Sequence, residues 1–315
     1  MTALESFLSR CLVAAVFAGA AAAQCSNPWL TMRSIAGTNL PIRAITPWDP
    51  DGAGPLPQVI VVGGDFTFAG GAPASHLAIY DPQSQAWAGL GGGVDGPVYA
   101  IATMANGDLV VAGDFTAAGG VPANRVARWN GTGWVAMGAG FSAPVQALHV
   151  RPNGDLVAGG YFSQIMRWNG SAWSALGSTA GGWILCFASL PNGDLLAGAL
   201  VLDASHRLVQ RWNGTAWSSL SGPSQMFSNV WALLPLPNGD VIAGGSYLNY
   251  LTGGPSYTNV ARWNGSTWNA MGVVSSTYVR ALELLPNGDV VAGVLASSTT
   301  GPFVVRWTGF GWWPL

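Results

Sequence analysis

The side chains that could carry out acid–base chemistry are few and widely spaced. The chain has three histidines, which are His76, His149 and His206. A histidine and a carboxylate placed together can serve as general base and general acid, so His149 and Glu283 are the candidates for that chemistry. The alternative for His149, which we favour, is a satisfied interior histidine. An enzyme of this kind, a carbohydrate-active hydrolase or lyase, would need these groups or Asp114 to converge with Arg280 in one polar pocket.

Patterns typical of metal and phosphate sites are absent from the sequence. No histidine or cysteine pair has metal-ligand spacing, and there is no Cys-x-x-Cys. The stretch from Asp49 to Gly52 matches only the opening of a calcium loop, and we interpret it as a turn. No glycine-rich phosphate loop leads into a helix. We therefore expect neither a metal nor an organic cofactor.

The composition indicates many short strands joined by tight turns. Glycine supplies 44 of the 315 residues and charged residues only 8 %, against a usual share of about 25 % for charged residues. Half of the residues are hydrophobic, which excludes a disordered chain. The net charge is −2, all 12 basic residues are arginine, and no basic run occurs, which argues against a nucleic-acid partner.

Self-similarity divides most of the chain into six copies of one unit. The motif Asn-Gly-Asp recurs five times, beginning at Asn106, Asn153, Asn192, Asn238 and Asn287. The pair Arg-Trp recurs with it, at Arg128, Arg167, Arg211, Arg262 and Arg306. A divergent first copy is marked by Gly63-Gly64, Tyr80 and Trp87.

Each copy contains four short apolar runs, so it predicts a four-stranded antiparallel sheet. Asn-Gly between two such runs indicates a hairpin, because both residues accept a positive φ. Six such sheets arranged radially bury one another's faces, which predicts a six-bladed β-propeller. The approximate blade boundaries are 42–97, 98–144, 145–182, 183–229, 230–277 and 278–315. An outer-membrane barrel is the rival all-β fold, but its strands would not come in groups of four.

The first copy resembles the kelch repeat. A hydrophobic run is followed by Gly63-Gly64, then by Tyr80 and Trp87. Later copies keep the glycine pair in part, as in Gly159-Gly160, and place tryptophan where kelch has tyrosine. The chain from roughly 41 to 315 thus looks like the kelch and galactose-oxidase central-domain group, in the form found in secreted bacterial proteins. The resemblance implies a propeller fold, and the copper-site residues of galactose oxidase cannot be placed in this sequence.

A residue that recurs in every blade is predicted to serve the blade itself. This applies to the arginines of the Arg-Trp pairs and to the aspartates of the Asn-Gly-Asp turns. We expect each aspartate to cap its own turn and each arginine to pair with an aspartate or to stack on a tryptophan.

Positions that vary between blades are the candidates for ligand binding. Seven residues before each turn asparagine, the first strands carry Tyr99, Gln146, Leu185, Trp231 and Arg280, and the first blade offers Arg43. In a closed ring Arg43 would approach Arg280 near the channel mouth. Together with Tyr99, Gln146 and Trp231, the two arginines predict a site for an anionic or sugar-like ligand. The alternative is that these side chains only fill the wedges between blades.

Two further features lie in the loops between second and third strands. The longest of these loops carries Tyr247, Tyr250 and Tyr257, and exposed tyrosines are suited to protein or glycan contacts. Asp65 and Asp114 open matching Gly-Asp-Phe-Thr segments. For these two aspartates we expect a turn or cap role rather than ligand contact.

The amino terminus predicts export. Residues 1–23 have the apolar core and small-residue cleavage site of a signal peptide, and the core is too short to span a membrane. Cleavage would leave Cys25 and Cys186, whose pairing stays open. In residues 24–41, the stretch from Trp29 to Ala36 is a possible strand that closes the ring beside the last blade.

These observations favour a secreted or periplasmic, monomeric propeller that binds a protein or glycan without catalysis. We expect no membrane span after signal cleavage. The carbohydrate-active enzyme and a structural component of an envelope or matrix are the two alternatives.

Overall fold

Antiparallel β-structure makes up the regular elements of the part of the chain that the structure describes. The computed structural model describes residues 37–52, 54–177, 182–200, 209–220, 229–248, 258–272, 274, 278–295 and 304–315. Across these ranges all regular elements are β-strands. These ranges contain no helix that is long and apolar enough to span a membrane. The chain divides into two compact units, Met1–Val145 (unit 1) and Gln146–Leu315 (unit 2).

Unit 1 contains two four-stranded sheets and two small hairpins. Its strands are β1 (Ile42–Trp48), β2 (Val59–Gly64), β3 (Phe68–Ala69), β4 (Ala72–Pro73), β5 (Leu77–Asp81), β6 (Ala86–Gly89), β7 (Val98–Thr103), β8 (Leu109–Gly113), β9 (Ala117–Ala118), β10 (Val121–Pro122), β11 (Val126–Trp129) and β12 (Trp134–Ala136). The sheets have the orders β1-β2-β5-β6 and β7-β8-β11-β12, while β3-β4 and β9-β10 are the hairpins. Each repeat therefore supplies four sheet strands in chain order, as the sequence predicts.

Unit 2 continues the same pattern. Its strands are β13 (Val145–Val150), β14 (Leu156–Gly160), β15 (Phe162–Trp168), β16 (Trp173–Ala175), β17 (Trp183–Ser189), β18 (Leu195–Leu200), β19 (Val209–Trp212), β20 (Trp217–Ser219), β21 (Asn229–Pro235), β22 (Val241–Leu248), β23 (Thr258–Trp263), β24 (Trp268–Ala270), β25 (Tyr278–Leu284), β26 (Val290–Leu295), β27 (Val304–Trp307) and β28 (Trp312–Pro314). Strands β13–β16 form one sheet, and β17–β28 form three four-stranded repeats. Single residue pairs, Leu200 with Asn229 and Ser246 with Tyr278, join those three repeats.

The Asn-Gly-Asp hairpins lie where the sequence predicts them, at what we call the turn end of each sheet. In the first of these turns the Asn106 amide donates to the Asp108 carboxylate at 2.8 Å, and the Asp108 N–H donates back to the Asn106 side chain. Gly107 has a φ of 86°. Asn106 is not among the positive-φ residues, so in this turn the glycine takes the left-handed conformation. The asparagine instead serves as a side-chain bridge within the turn.

Ion pairs fasten each turn to the third strand of its own sheet. The Arg211 Nε atom donates to the Asp194 carboxylate at 2.6 Å, and Arg262 reaches Asp240 at 2.8 Å. The same pairing recurs in the other copies, as Arg128–Asp108, Arg167–Asp155 and Arg306–Asp289. The repeated arginines and aspartates therefore act within the scaffold, as expected, and the turn ends of these repeats have little chemical variety.

Within each unit, periodic tryptophans connect a repeat to the one before it. In unit 2 the indole N–H of Trp217 donates to the Leu176 carbonyl at 2.6 Å, and Trp268 donates to Leu220 at 2.7 Å. Trp312 repeats the bond with the Met271 carbonyl. In unit 1 Trp134 donates to Gly91. These rings pack partly inside the apolar core between neighbouring sheets, so they belong to the scaffold.

The small hairpin β9–β10 is held by one carboxylate. Asp95 accepts hydrogen bonds from the N–H groups of Thr116 and Ala117 and from the Thr116 hydroxyl, all within 2.8 Å. Burial opposes ionisation of Asp95, but these hydrogen bonds outweigh it and lower the pKa of the carboxyl. In the first repeat the Asn39 amide oxygen binds the same way to Thr67 and Phe68.

Replacing Asp95 by alanine is expected to loosen this hairpin while leaving the four-stranded sheet intact. Loss of charge-assisted hydrogen bonds should speed amide exchange at Thr116 and Ala117 by roughly tenfold, measured by hydrogen–deuterium exchange. The matched control is Asp95→Asn, which copies Asn39 and should retain most of the protection. Equal exchange in wild type and Asp95→Ala would contradict the role of the carboxylate.

Candidate binding site

The candidate side chains share one backbone feature, a β-bulge on the first strand of the repeat. The pairing of β1 with β2 skips Arg43, and the pairing of β7 with β8 skips Tyr99. The pairings of β17, β21 and β25 skip Leu185, Trp231 and Arg280 in the same way. A bulged residue has no partner in the ladder and re-aims its side chain. The register that the sequence singled out is therefore a bulge, located towards the end opposite the turns, which we call the loop end.

In unit 1 the bulged residues Arg43 and Tyr99 come together. The Arg43 guanidinium carbon lies 5.6 Å from the centre of the Tyr99 ring. Its Nε and Nη2 atoms donate to the two oxygens of Asp65 at 2.7 and 2.6 Å. This two-point pair neutralises the arginine from within the same sheet.

The sequence reasoning missed Asp65 as the partner of Arg43. It predicted a turn or cap role for Asp65 and Asp114, but both carboxylates face arginines, since Asp114 lies 3.5 Å from Arg125. The motif Gly-Asp-Phe-Thr instead contributes its phenylalanines, Phe66 and Phe115, to the buried core. The sequence signal that could have identified these partners is the carboxylate that recurs directly after the last glycine of the second strand, at Asp65 and Asp114.

In unit 2 the bulged residues Trp231 and Arg280 come together. The Arg280 guanidinium carbon lies 3.9 Å from the centre of the Trp231 ring and 5.6 Å from that of Tyr278. Arg280 is exposed, whereas both rings are half-buried. The indole N–H of Trp231 is buried, and among the described residues it has no hydrogen-bond partner. The group thus combines a planar cation, two aromatic rings and an unsatisfied donor.

Tyr278 and Trp183 were not predicted as site residues. Both occupy the first position of their strands, two residues before the bulge. Trp183 also packs against Tyr161, with ring centres 4.6 Å apart. At the same position the chain has proline in three earlier repeats, so a comparison of this second register could have found them.

The structure describes the remaining predicted site residues to different extents. Gln146 is half-buried at the bulge register of β13. Tyr247 lies in β22, but its side chain, like all of Tyr250 and Tyr257, lies outside the described residues. The approach of Arg43 to Arg280 stays a prediction, as does a role for the three tyrosines.

His149, the candidate base, contacts a serine. Its Nε2 atom lies 2.8 Å from the Ser189 hydroxyl. Burial and the nearby positive charge of Arg151 lower the pKa of His149 to about 4, so the ring is neutral at neutral pH. Burial also raises the pKa of Glu283. His149 therefore has the properties of a satisfied interior histidine between two first strands, β13 and β17.

One further group that could react, the thiol of Cys186, is accounted for by the fold. The Cys186 thiol donates to the Val230 carbonyl, and burial raises its pKa to about 12, which makes it a poor nucleophile. Cys186 is free, while Cys25, His206 and the predicted signal peptide lie outside the described residues. In the part of the chain that the structure describes, no group of three or more potential metal ligands occurs.

Comparisons with known proteins agree with this architecture. Residues 37–190 match the family model described as "Rax2 C-terminal beta propeller domain". The fold is similar to a chain in "Crystal Structure of Mitotic Checkpoint Complex", with TM-score 0.55, 16% identity, and coverage of 87% of this chain and 77% of that one. The computationally designed Ika8 protein also matches, at TM-score 0.48 and 16% identity over 88% of this chain and 85% of that one. No curated protein matches the sequence. The family match and the first structure support the conclusion that this all-β chain has a β-propeller fold.

Proposed function

We propose that the chain is a secreted, non-enzymatic, six-bladed propeller of the kelch type that binds a protein or glycan through its loop ends and channel mouth. The observation that carries this proposal is the bulge. One backbone geometry recurs in five described first strands, yet its side chain changes from Arg43 and Tyr99 to Leu185, Trp231 and Arg280. A rigid frame with variable side chains is typical of a recognition surface.

The turn ends of the sheets support the assignment because they are uniform where the loop ends are variable. There the same Asn-Gly-Asp turn and the same arginine pair recur from repeat to repeat. Such groups satisfy one another, and they leave few polar atoms for a ligand. The loop ends instead vary in both length and composition, from a direct bend at Tyr161 to the β9–β10 hairpin.

The lack of catalysis is proposed from the partners of the candidate groups. His149 is neutral and bonded to Ser189, and Arg280 packs on Trp231 and Tyr278.

The six-copy repeat count supports six blades, and the leader-like residues 1–23 support secretion. Kelch kinship rests on the glycine pair, whose first member packs closely on the next repeat, as Gly63 does on Val98.

The proposal is tested by screening the purified protein on immobilised glycans and on partner extracts. We expect retention of at least one ligand by wild type and weaker retention by Arg43→Ala or Arg280→Ala. The control is Phe310→Ser, at the turn end, where Phe310 is 97% exposed and other repeats have serine or threonine. Unchanged retention in both arginine variants would overturn the loop-end site, and no retention by wild type would favour a purely structural role.

A further inference from the structure

The hairpins that join the third and fourth strands, which we call the outer hairpins, share one turn in the last five repeats. The backbone N–H of Asn130 donates to the Gly133 carbonyl at 3.2 Å, and Thr308 makes the same bond with Gly311 at 3.3 Å. The residue after Asn130 or Thr308 is a glycine, with a φ of 91° or 95° respectively. Because the last repeat makes this turn from threonine, the turn itself does not require an asparagine.

Four of the outer hairpins have an asparagine and a hydroxyl residue with one glycine between them. The Thr132 hydroxyl donates to the Asn130 side-chain oxygen at 3.0 Å, and the N–H groups of Thr132 and Gly133 donate to the same oxygen. The same three bonds recur at Asn169, Asn213 and Asn264. Asn-x-Ser/Thr is the acceptor motif for N-linked glycosylation, and here its hydroxyl lies beside the side-chain amide that would be modified.

The amide groups of these four asparagines are accessible. Each asparagine and its hydroxyl residue are exposed, and the three turn bonds all use the side-chain oxygen rather than the Nδ2 atom. The Asn-Gly-Asp turns differ, because there the Asn106 Nδ2 atom donates to the Asp108 carboxylate at 2.8 Å and no hydroxyl residue follows the glycine. The two kinds of Asn-Gly turn therefore differ both in the motif and in how the amide nitrogen is used.

We propose that Asn130, Asn169, Asn213 and Asn264 are sites of N-linked glycosylation. The donor would be an oligosaccharide joined through a diphosphate to a lipid, transferred by an oligosaccharyltransferase on the export route. The Nδ2 atom forms a bond to the anomeric carbon of the sugar and loses a proton. The bond from that carbon to the diphosphate oxygen breaks, and the lipid diphosphate leaves with the electron pair. This inference rests on the secretion included in the proposed function.

The four sites lie at the turn ends of their sheets. In a four-stranded antiparallel sheet whose strands follow chain order, the first and third hairpins are at the same end. Glycans on the outer hairpins would therefore cover the end that carries the Asn-Gly-Asp turns and leave the loop end of each sheet uncovered. That placement agrees with ligand binding at the loop ends.

The test is peptide mass mapping of the full chain isolated from the medium or envelope of the organism that encodes it. An arginine precedes each of the four asparagines by two residues, so cleavage at arginine places each site near the start of its own peptide. We expect a sugar mass on all four peptides, located on the asparagine by fragmentation. The asparagines of the Asn-Gly-Asp turns are the matched control within the chain, and they should carry none.

Two sets of variants separate the acceptor motif from the turn. Thr132→Ala removes the hydroxyl but not the two backbone bonds, and it should abolish the sugar at Asn130 alone, whereas Thr132→Ser should retain it. Thr308→Asn combined with Phe310→Thr supplies the motif in the last repeat and should gain a fifth site, whereas Thr308→Asn alone should not. These positions are exposed, so the melting temperature of each variant should stay close to that of wild type.

Three results would overturn the inference. These are an exported protein without sugar on the four asparagines, a sugar on the Thr132 hydroxyl rather than on Asn130, and equal modification in wild type and Thr132→Ala. If the exported protein has no sugar and still retains a ligand through its loop ends, the inference is wrong while the proposed function stands. If the protein is not exported, both fail.

Discussion

Replacing Gly113 by alanine is expected to lower the free energy of unfolding by about 3 kcal/mol, the upper part of the usual range for overpacking a core. A Cβ atom at this position would lie 2.0 Å from the Pro97 carbonyl oxygen and 3.0 Å from the Cα of Val98. These are backbone atoms at the bulge of β7, so no side-chain rotation relieves the clash. The measurement is urea unfolding, and the melting temperature should fall by roughly 6–12 °C.

The matched control for this substitution is Gly133→Ala. Gly133 has open space around its Cα and is not among the positive-φ glycines, so the change should stay within about 0.5 kcal/mol of wild type. If Gly113→Ala proved as stable as Gly133→Ala, the inference that β7 approaches β8 too closely for a Cβ atom at Gly113 would be wrong.

Acidification from pH 7 to pH 4 is expected to destabilise the protein through His149. The pKa of His149 is about 4 in the folded chain, against an ordinary value of 6.5, because burial and Arg151 disfavour the charged ring. Between these values the unfolded chain binds a proton that the folded chain does not. The stabilisation is therefore present above pH 6.5 and is lost as the pH falls towards 4, by roughly 3 kcal/mol in total.

The contribution of His149 can be isolated by comparing wild type with His149→Leu in urea unfolding at pH 7 and pH 4.5. Leucine is the natural choice, because β21 has Leu234 at the equivalent register. Glu283, whose raised pKa acts in the opposite direction, cancels in this comparison. The variant should lose less stability on acidification than wild type, and equal losses would refute the assignment.

Much of the fold could be predicted from the sequence because the same local motifs recur in the repeats. The turn at Asn106 and the pairing of Arg211 with Asp194 follow from local motifs. The bulge at Tyr99 could not be predicted, because it depends on how closely two backbones approach. Glycine is not a reliable marker of it, since Ala199 and Val294 occupy the register of Gly113 in β18 and β26.

The sequence predicted which positions belong to the candidate site, but it did not predict all of the side-chain contacts that form there. Aligning the first strands selected Arg43 and Arg280, and the structure places both at bulges. The sequence grouped Trp231 with Arg280, which do lie together, but it did not foresee that Asp65 pairs with Arg43. The partner of Arg43 comes from a different strand, and side-chain stacking across strands depends on tertiary packing rather than on spacing along the chain.

The described hydrogen bonds that fourth-strand tryptophans make between repeats all run in the same direction along the chain. For the described fourth-strand tryptophans the later repeat supplies the indole donor and the earlier repeat supplies the carbonyl, as in Trp217 to Leu176 and Trp268 to Leu220. The first-strand Trp48 donates the other way, to the Gly107 carbonyl of the following repeat. Removing a repeat from the carboxyl side would leave a carbonyl that water can reach. Removing one from the amino side would strand a partly buried N–H, which is the costlier defect. Shortened versions of unit 2 should therefore tolerate loss at one end better than at the other, and assembly that starts from the amino-terminal repeat would always offer the next indole a ready acceptor.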